Sequence, residues 1–345
     1  MKGPALIVPR HRGEALRRAL LEGGLLRTDL EILREGDRLA LPLVDGRAVP
    51  DGMGELGERE FGSLRSPGPT DYRNLLELPT EEAQRLPRSF DVVGDVVLIR
   101  IPDEFAARAP EIGRALLTFV PGARIVGADH GVHGPERRRS LEGIAGSGAW
   151  RTRHRENGID IEVDLEQAYF SPRLAREHAR VAAAVGHGDR VYDLCCGVGP
   201  FSLTIARDGR AREITALDSN PAALALLRAS LARQKFATSV SVVGGPVEAF
   251  TPSAEAVERV ILNLPLEGIK YLPSVARTVA RRGRFYYYEV TPRAEFERRG
   301  EAVVGKLDRP EEWTVVDQHV VHPYSPSADL VAFVLARSRG EREGA

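Results

Sequence analysis

Residues 190–221 read as a strand, a glycine turn, a helix and a second strand that ends in an acid. Residues 191–194 suit a buried strand, and Gly197 and Gly199 let the backbone turn tightly beside a ligand. Asp218 ends the next apolar run about 20 residues later, where a carboxylate can accept both hydroxyls of a ribose. This order predicts a doubly wound α/β domain that binds a nucleoside.

The glycine spacing argues against a dinucleotide. Dinucleotide-binding enzymes use three glycines as G-x-G-x-x-G, whereas Pro200 follows Gly199 here. The pattern D-x-x-C-G-V-G-x-F-S at residues 193–202 resembles motif I of class I S-adenosylmethionine-dependent methyltransferases. This resemblance implies a cofactor site that includes Asp193, Cys195, Gly197, Gly199, Phe201 and Asp218.

Composition narrows the class of protein further. The 345 residues are enough for two or three domains, and 43% are hydrophobic. No apolar run approaches the ~20 residues that span a bilayer, and the N-terminus lacks the apolar core of a signal peptide. The neighbours Cys195 and Cys196 suit neither an unstrained disulfide nor a zinc site. We therefore expect a soluble cytoplasmic protein without a membrane contact or a structural metal.

The order of predicted elements divides the chain. We expect an overall α/β fold in which an α+β domain and a small N-terminal α+β module precede the nucleoside-binding domain. The predicted parts are a module at 1–50, a linker at 51–70, an α+β domain at 71–180, the nucleoside-binding domain at 181–338 and a charged tail at 339–345. Residues 131–158 contain few apolar and many arginine side chains, which predicts a solvated loop or an exposed hairpin.

Nearly all basic residues are arginines, and they cluster in RHRGEALRR, GPERRRS and WRTRHR. A GC-rich genome and a phosphate-binding patch explain these clusters equally well. The net charge of −1 gives no overall signal for nucleic acid.

A second candidate site follows the predicted strand at 257–262. Asn263, Leu264 and Pro265 then lie at the carboxyl end of a strand, where substrates bind in doubly wound sheets. The asparagine amide can hold the edge of a planar base, and proline fixes the turn. The competing interpretation is an ordinary turn between a strand and a loop.

Further segments carry a resemblance that covers nearly the whole chain. They are SFDVVGD at 89–95, the E-x-R-x-x-L-x-x-x-A-G-like segment at 137–146, HRENG at 154–158, D-x-x-x-A-Y-F-S-P-R-L at 164–174, the N-L-P turn and HPYSP at 322–326. With motif I, this series resembles the archaeal and eukaryotic-type tRNA guanine-N1 methyltransferases, which act on guanosine 37, just 3′ of the anticodon.

The resemblance implies S-adenosylmethionine as cofactor and tRNA as partner, bound at the anticodon loop and at a distal region by a monomeric enzyme. It implies a tRNA-recognition module at 1–50 and an RNA-binding or substrate domain at 71–180. It implies that Glu177 is the general base for the N1 proton, and a partly dry pocket would raise the basicity of this carboxylate. Taken alone, Glu177 is a helical glutamate among arginines, for which exposed ion pairing is the commoner fate.

The resemblance also implies roles for residues near the guanine base and the methyl donor. Arg137 would stabilise negative charge on guanine O6, although the register could move this role to Arg138 or Arg139. Asn263 would also contact the cofactor and act in catalysis. The remaining implied roles are the base pocket for Asn263 and Pro265, the methyl-donor site for Tyr169, and a substrate contact for His178, which stands where the family often has arginine.

Motif III departs from the family. Gly244, Gly245 and Pro246 stand where an acid commonly meets the adenine, so Glu248 or a backbone amide must substitute.

Other functions share parts of this sequence pattern. A wyosine-pathway methyl- or aminocarboxypropyltransferase acting on a modified guanosine 37 would use nearly the same scaffold. A uracil-C5 methyltransferase needs a later cysteine, and none follows Cys196. An exocyclic-amine methyltransferase would prefer an N-P-P-aromatic turn. From another class, a non-catalytic tRNA-binding protein would keep a vestigial cofactor fold.

Overall fold

The computed structural model describes residues 1–45, 49–50, 52–62, 69–134, 138–251 and 254–338. The chain forms two compact units, Met1–Leu75 and Leu76–Ala345. The predicted tail at 339–345 lies outside the described residues.

In its described residues, the first unit is a four-stranded antiparallel sheet with one α-helix. Its elements are β1 (Lys2–Pro9), α1 (Gly13–Glu22), β2 (Leu33–Glu35), β3 (Arg38–Pro42) and β4 (Glu55–Glu60). The strand order is β2-β3-β1-β4. Leu16 and Leu20 of α1 pack against apolar side chains of β1 and β3, because their spacing places them on one face of the helix.

The predicted linker at 51–70 is wrong over residues 55–60. These residues form β4, whose pairing with β1 runs from Lys2 opposite Glu60 to Ile7 opposite Glu55. The segment ELGERE carries no apolar alternation, and its side chains are largely exposed. Main-chain hydrogen bonds to β1 therefore determine this strand, and side-chain pattern gives no sign of it. Residues 63–68 of the predicted linker lie outside the described residues.

The second unit begins with two smaller sheets. Its first elements are α2 (Thr80–Arg85), β5 (Asp91–Val93), β6 (Val96–Ile99), α3 (Ala109–Phe119), β7 (Ile125–His133), β8 (Arg138–Gly146), β9 (Arg151–Glu156), β10 (Ile159–Asp164) and α4 (Ala175–Ala184). One sheet has the order β5-β6-β7-β8, and β9 pairs with β10 in a two-stranded sheet.

The prediction of a loop or exposed hairpin at 131–158 is only partly right. Strands β7 and β8 do form an antiparallel pair, but β9 belongs to a separate hairpin with β10. Alternate side chains of β9, including Thr152 and Glu156, are buried, while Arg151, Arg153 and Arg155 are exposed. The strand gives no hydrophobic signal in the sequence, because its arginines alternate with small or polar residues and not with apolar ones.

The large sheet follows. Its elements and their flanking helices are β11 (Arg190–Leu194), α5 (Pro200–Asp208), β12 (Glu213–Asp218), α6 (Pro221–Arg233), β13 (Val240–Gly244), α7 (Val247–Phe250), β14 (Val257–Leu262), α8 (Leu272–Arg277), β15 (Val279–Pro292), α9 (Phe296–Val304), β16 (Trp313–Pro323) and β17 (Ala328–Arg337).

The strand order of this seven-stranded sheet is β13-β12-β11-β14-β15-β17-β16. Strands β11 to β15 run parallel, and β17 pairs antiparallel with β15 and β16. The order reverses between β11 and β14, so a crevice opens beyond their carboxyl ends. Buried cores lie on both faces of the sheet, and the β9–β10 hairpin adds Ile161 and Val163 to a core with α6. The predicted α/β fold is confirmed.

Candidate active site

The glycine turn after β11 changes the chain direction sharply. Cys195 and Gly197 adopt left-handed conformations with φ of 65° and 58°, and Gly199, at φ 80°, precedes α5. A Cβ atom on Gly199 would lie 2.4 Å from Cδ1 of Leu227. Only glycine therefore fits here without displacing a core side chain.

Asp218, at the end of β12, ties this turn to the next one. Its Oδ2 accepts the Gly197 N–H at 2.7 Å, and its Oδ1 accepts the Asn220 N–H at 2.8 Å. Asn220 in turn caps α6 through the Ala222 N–H at 2.9 Å. The carboxylate is thus fixed between two loops, with the acceptor capacity that a pair of ribose hydroxyls requires.

Asp193 lies behind the turn and is fully buried. Its Oδ2 accepts the backbone N–H of Ser202 at 3.2 Å and the hydroxyl of Ser202 at 2.6 Å. Burial raises the pKa of Asp193 to about 6, against the opposing effect of the Ser202 hydrogen bonds. Asp193 therefore fixes the first turn of α5 from beneath.

A cleft of about 320 Å³ opens at the carboxyl end of the parallel strands. It gathers residues that lie far apart in the sequence. The predicted site residues that line it are Tyr169, His178, Cys195, Gly197, Asp218, Asn263 and Pro265. Asp193, Gly199, Phe201 and Glu177 are not among the described residues of its wall, and Arg137 lies outside the described residues.

The N-L-P turn forms one wall of the cleft. Asn263 follows β14, and its Oδ1 is buried without a hydrogen-bond partner among the described residues. The carbonyl of Pro265 accepts the Val290 N–H at 3.0 Å, and that of Leu264 accepts the Gly268 N–H at 2.7 Å. The turn is thus held rigidly while one amide oxygen is left for a ligand.

Glu177 lies on α4 and is 5% exposed. Its Oε1 accepts the Tyr288 hydroxyl at 2.7 Å, and Arg180 bonds both oxygens at 2.8 and 2.9 Å. His319 Nε2 lies 3.1 Å from Oε2. Burial by itself would raise the pKa of Glu177, but the hydrogen bonds from His319, Arg180 and Tyr288 outweigh it and lower the pKa to about 2.

This finding corrects the expected raised basicity of Glu177. The sequence indicated either a dry pocket or exposed ion pairing, and the structure combines burial with ion pairing. Two of the donors to the carboxylate, Tyr288 and His319, lie on strands far along the chain. The local sequence around Glu177 therefore gives no sign of them.

His178, the next residue, faces another way. It is 1% exposed, its Nδ1 lies 2.6 Å from Glu156 Oε1, and its ring packs against Phe201 with centroids 4.5 Å apart. Its Nε2 is buried without a partner among the described residues. Phe201 therefore supports a cleft-lining residue and does not line the cleft itself.

Arg139 reaches the same region. Its guanidinium bonds the carboxylate of Asp129 and, at 3.0 Å, the carbonyl of Phe170. It also lies over the ring of Tyr169, 5.3 Å from the centroid. Arg139, one of the two described arginines considered for the base-facing role, thus contacts residues of the cleft wall.

Sequence analysis missed part of the cleft. Lys270, Tyr271 and His322 line it, and the Tyr271 hydroxyl donates to Glu248 Oε1 at 3.0 Å. Glu248, which sequence analysis named as one substitute for the missing motif III acid, is also in the wall. The only available signal for Lys270 and Tyr271 was their position soon after the N-L-P turn.

The residues present fit the cofactor implied by motif I. The fixed carboxylate of Asp218 suits the hydroxyls of a ribose, and the glycine main chain allows a ligand to approach closely. Asn263 Oδ1, which has no partner among the described residues, can accept a hydrogen bond from the ligand. The seven-stranded sheet, the glycine turn and this acid together define a class I S-adenosylmethionine-dependent methyltransferase.

Within that class the family is defined by comparison. The TRM5/TYW2 methyltransferase domain matches residues 152–316, the TYW2 N-terminal domain matches 72–149, and the tRNA methyltransferase 5 N-terminal domain matches 5–50. The chain belongs to the TRM5/TYW2 family.

Individual relatives agree with this assignment. The tRNA (guanine(37)-N(1))-methyltransferase Trm5b of Pyrococcus abyssi is 34% identical over 84% of this chain and 85% of the relative. A crystal structure of Trm5b from Pyrococcus abyssi, 31% identical, covers 97% of this chain and 99% of that chain with a TM-score of 0.75. A structure of aTrm5 with tRNALeu, 29% identical, covers 97% and 99% with a TM-score of 0.72.

Proposed function

We propose that this enzyme transfers a methyl group from S-adenosylmethionine to N1 of guanosine 37 in tRNA. The observation that carries the proposal is one cleft that joins the ribose acid Asp218 to the unpartnered Asn263 amide oxygen. The 34% identical relative is a tRNA (guanine(37)-N(1))-methyltransferase, which supports this substrate.

The cofactor half of the cleft would be formed by the glycine turn. S-adenosylmethionine supplies an electrophilic methyl group on a sulfonium. Asp218 would accept the ribose hydroxyls, and Tyr169, Cys195 and Gly197 would line the site. Asp193, Gly199 and Phe201 would act from behind, because they fix the turn and the start of α5.

The other half would hold the guanine. Asn263 Oδ1 would accept an N–H of the base edge, and Pro265 would shape the wall against its plane. His178 lies in the same wall and would contact the substrate. The target base must leave the anticodon stack to enter, at a cost of a few kcal/mol that is smaller in a loop than in a duplex.

Glu177 would accept the N1 proton as the ring nitrogen takes the methyl group. As the proton leaves, the electron pair of the N1–H bond becomes available for the bond to the methyl carbon, and part of the negative charge moves to O6. An arginine would stabilise negative charge on O6. The resemblance assigns Arg137, and the contacts of Arg139 with Phe170 and Tyr169 make it the alternative.

The wider organisation follows from the same proposal. Residues 1–50 would recognise tRNA away from the anticodon, residues 71–180 would contact the anticodon arm, and 181–338 would carry the chemistry in a monomeric cytoplasmic enzyme. No helix in the described part of the chain is long and apolar enough to cross a membrane.

A wyosine-pathway transferase is the second candidate, because the TYW2 N-terminal domain matches residues 72–149. The test is nucleoside mass spectrometry of an unmodified tRNA transcript with guanosine at position 37, after incubation with the protein and S-adenosylmethionine. We expect one N1-methylguanosine per tRNA.

The Glu177→Gln variant tests the base in the same assay. We expect its methyl-transfer rate to fall by roughly 100-fold or more, while calorimetry shows unchanged cofactor affinity. Product on a wyosine precursor alone would move the assignment to the second candidate, and cofactor binding without any product would indicate a binding protein.

A further inference from the structure

A chain of hydrogen bonds leads from Glu177 to the protein surface. His319 of β16 lies with Nε2 3.1 Å from Glu177 Oε2 and Nδ1 3.1 Å from Asp317 Oδ2. The side chains are 5% exposed at Glu177, 28% at His319 and 46% at Asp317. The imidazole thus connects a buried carboxylate with a solvated one.

The three donors to Glu177 differ in what they can do with a proton. Arg180 stays protonated and also bonds Asp317 Oδ2 at 3.1 Å. The Tyr288 hydroxyl is buried, and burial raises its pKa well above the usual value. An imidazole both gains and loses a proton near neutral pH. His319 is therefore the partner suited to carry a proton away.

The two contacts of His319 also require a variable proton count. A neutral imidazole can donate to only one carboxylate, whereas an imidazolium donates to both. With Nδ1–H bonded to Asp317, the lone pair of Nε2 can accept the Glu177 O–H once that carboxyl group carries the proton. The same geometry accommodates the ring before and after it accepts a proton.

We propose that His319 is the proton outlet of Glu177. The inference rests on the proposed function and adds a residue to it. The N1–H proton passes to Glu177 as N1 forms its bond to the methyl carbon and the carbon–sulfur bond breaks. The Glu177 O–H then protonates His319 Nε2, and the imidazolium releases the Nδ1 proton to Asp317 or to water. Glu177 returns to its ionised form.

The groups that face this pair come from three elements. Arg180 lies on α4, Tyr288 on β15, and His319 and Asp317 on β16. Arg180 stays charged through the neutral range. Asp193, whose pKa is raised to about 6, titrates in the same range, so the contribution of the imidazole is the part of the rate change between about pH 5 and 8 that His319→Gln removes.

The test measures single-turnover methyl transfer to tRNA across that pH range with wild type, His319→Gln and His319→Ala. We expect the wild-type rate to fall at acid pH, because an imidazole that already carries a second proton cannot accept another. His319→Gln should be roughly tenfold slower or more and should lack this acid limb. Added imidazole should restore His319→Ala in proportion to its unprotonated concentration.

Two controls distinguish a loss of the proton outlet from a loss of folding. His187→Gln changes an exposed histidine before β11 and should leave rate and pH profile unchanged. Adding His319→Gln to Glu177→Gln should cause no further loss. Thermal unfolding and cofactor titration check that each variant is folded.

The outcomes distinguish the inference from the function. Wild-type methylation with an unaltered rate and profile in His319→Gln overturns the outlet alone. A slowed His319→Ala that imidazole does not restore overturns it as well, since a structural defect explains that result. A wild type that forms no N1-methylguanosine overturns both proposals.

Discussion

Asp193 and Glu177 are both buried carboxylates, and their surroundings shift their pKa values in opposite directions. Asp193 has donors from Ser202 alone, so burial dominates and raises its pKa to about 6. Glu177 has donors from three residues, which overcome burial and lower its pKa to about 2. The number of donors, and not burial itself, decides the sign.

Asp193 predicts a pH effect on stability. Because its folded-state pKa lies above the unfolded value, its stabilising contribution is complete below about pH 4 and is lost as pH rises through about 6. Asp193→Asn removes this titration. We expect the unfolding free energy of the variant, relative to wild type, to rise by about 2 kcal/mol between pH 4 and 7.

Urea unfolding at both pH values measures this difference. A constant offset is expected from the amide and does not affect the comparison. Asp208→Asn, which changes an exposed carboxylate at the end of α5, is the control. A difference that stays level with pH would show that Asp193 is not protonated on folding.

At the scale of elements, close backbone contacts determine how the small sheets join. Gly94, at φ 58°, sits in the turn between β5 and β6, and its N–H donates to His154 Nδ1 at 3.2 Å. A Cβ atom there would lie 2.2 Å from Thr152 Oγ1 and 2.4 Å from the Arg153 carbonyl oxygen. The β9 strand therefore packs against a turn that only glycine can form.

Gly94→Ala should destabilise the protein more than a left-handed alanine does elsewhere. At Gly122, with φ 84°, an added Cβ atom would have no described heavy atom within 4 Å, so Gly122→Ala should cost only about 1–2 kcal/mol. Gly94→Ala adds a clash with main chain, and we expect a clearly larger loss in chemical denaturation. Equal losses would mean that β9 moves away without cost.

At the scale of the whole molecule, the chain has two compact units with separate cores. We expect residues 76–345 alone to fold cooperatively and to bind S-adenosylmethionine with the affinity of the full chain, because the described cleft lies within them. Affinity for tRNA should fall, because we propose that the first unit contacts tRNA.

Calorimetry with the cofactor and filter binding with tRNA, each on the fragment and the full chain, check this. Tight tRNA binding should weaken steeply with salt in the full chain. A fragment that loses cofactor binding would show that the first unit supports the second.

The features that the sequence predicts are those that depend on neighbouring residues. The glycine turn, Asp218 and the N-L-P turn were predicted because the local order of strand, turn and acid carries its own signal. Strand β4 was missed because its pairing with β1 supplies its stability. His319 was missed because it lies 142 positions from Glu177, and no spacing rule connects them.

The sequence by itself determined the α/β class, the methyltransferase motif and the family, because these depend on periodicity and short ordered motifs. Only the tertiary structure decided that Glu177 is surrounded by donors, that His178 is buried against Glu156, and that His319 reaches Glu177. Ionisation depends on which groups lie within a few ångströms, and folding brings those groups together from distant parts of the chain.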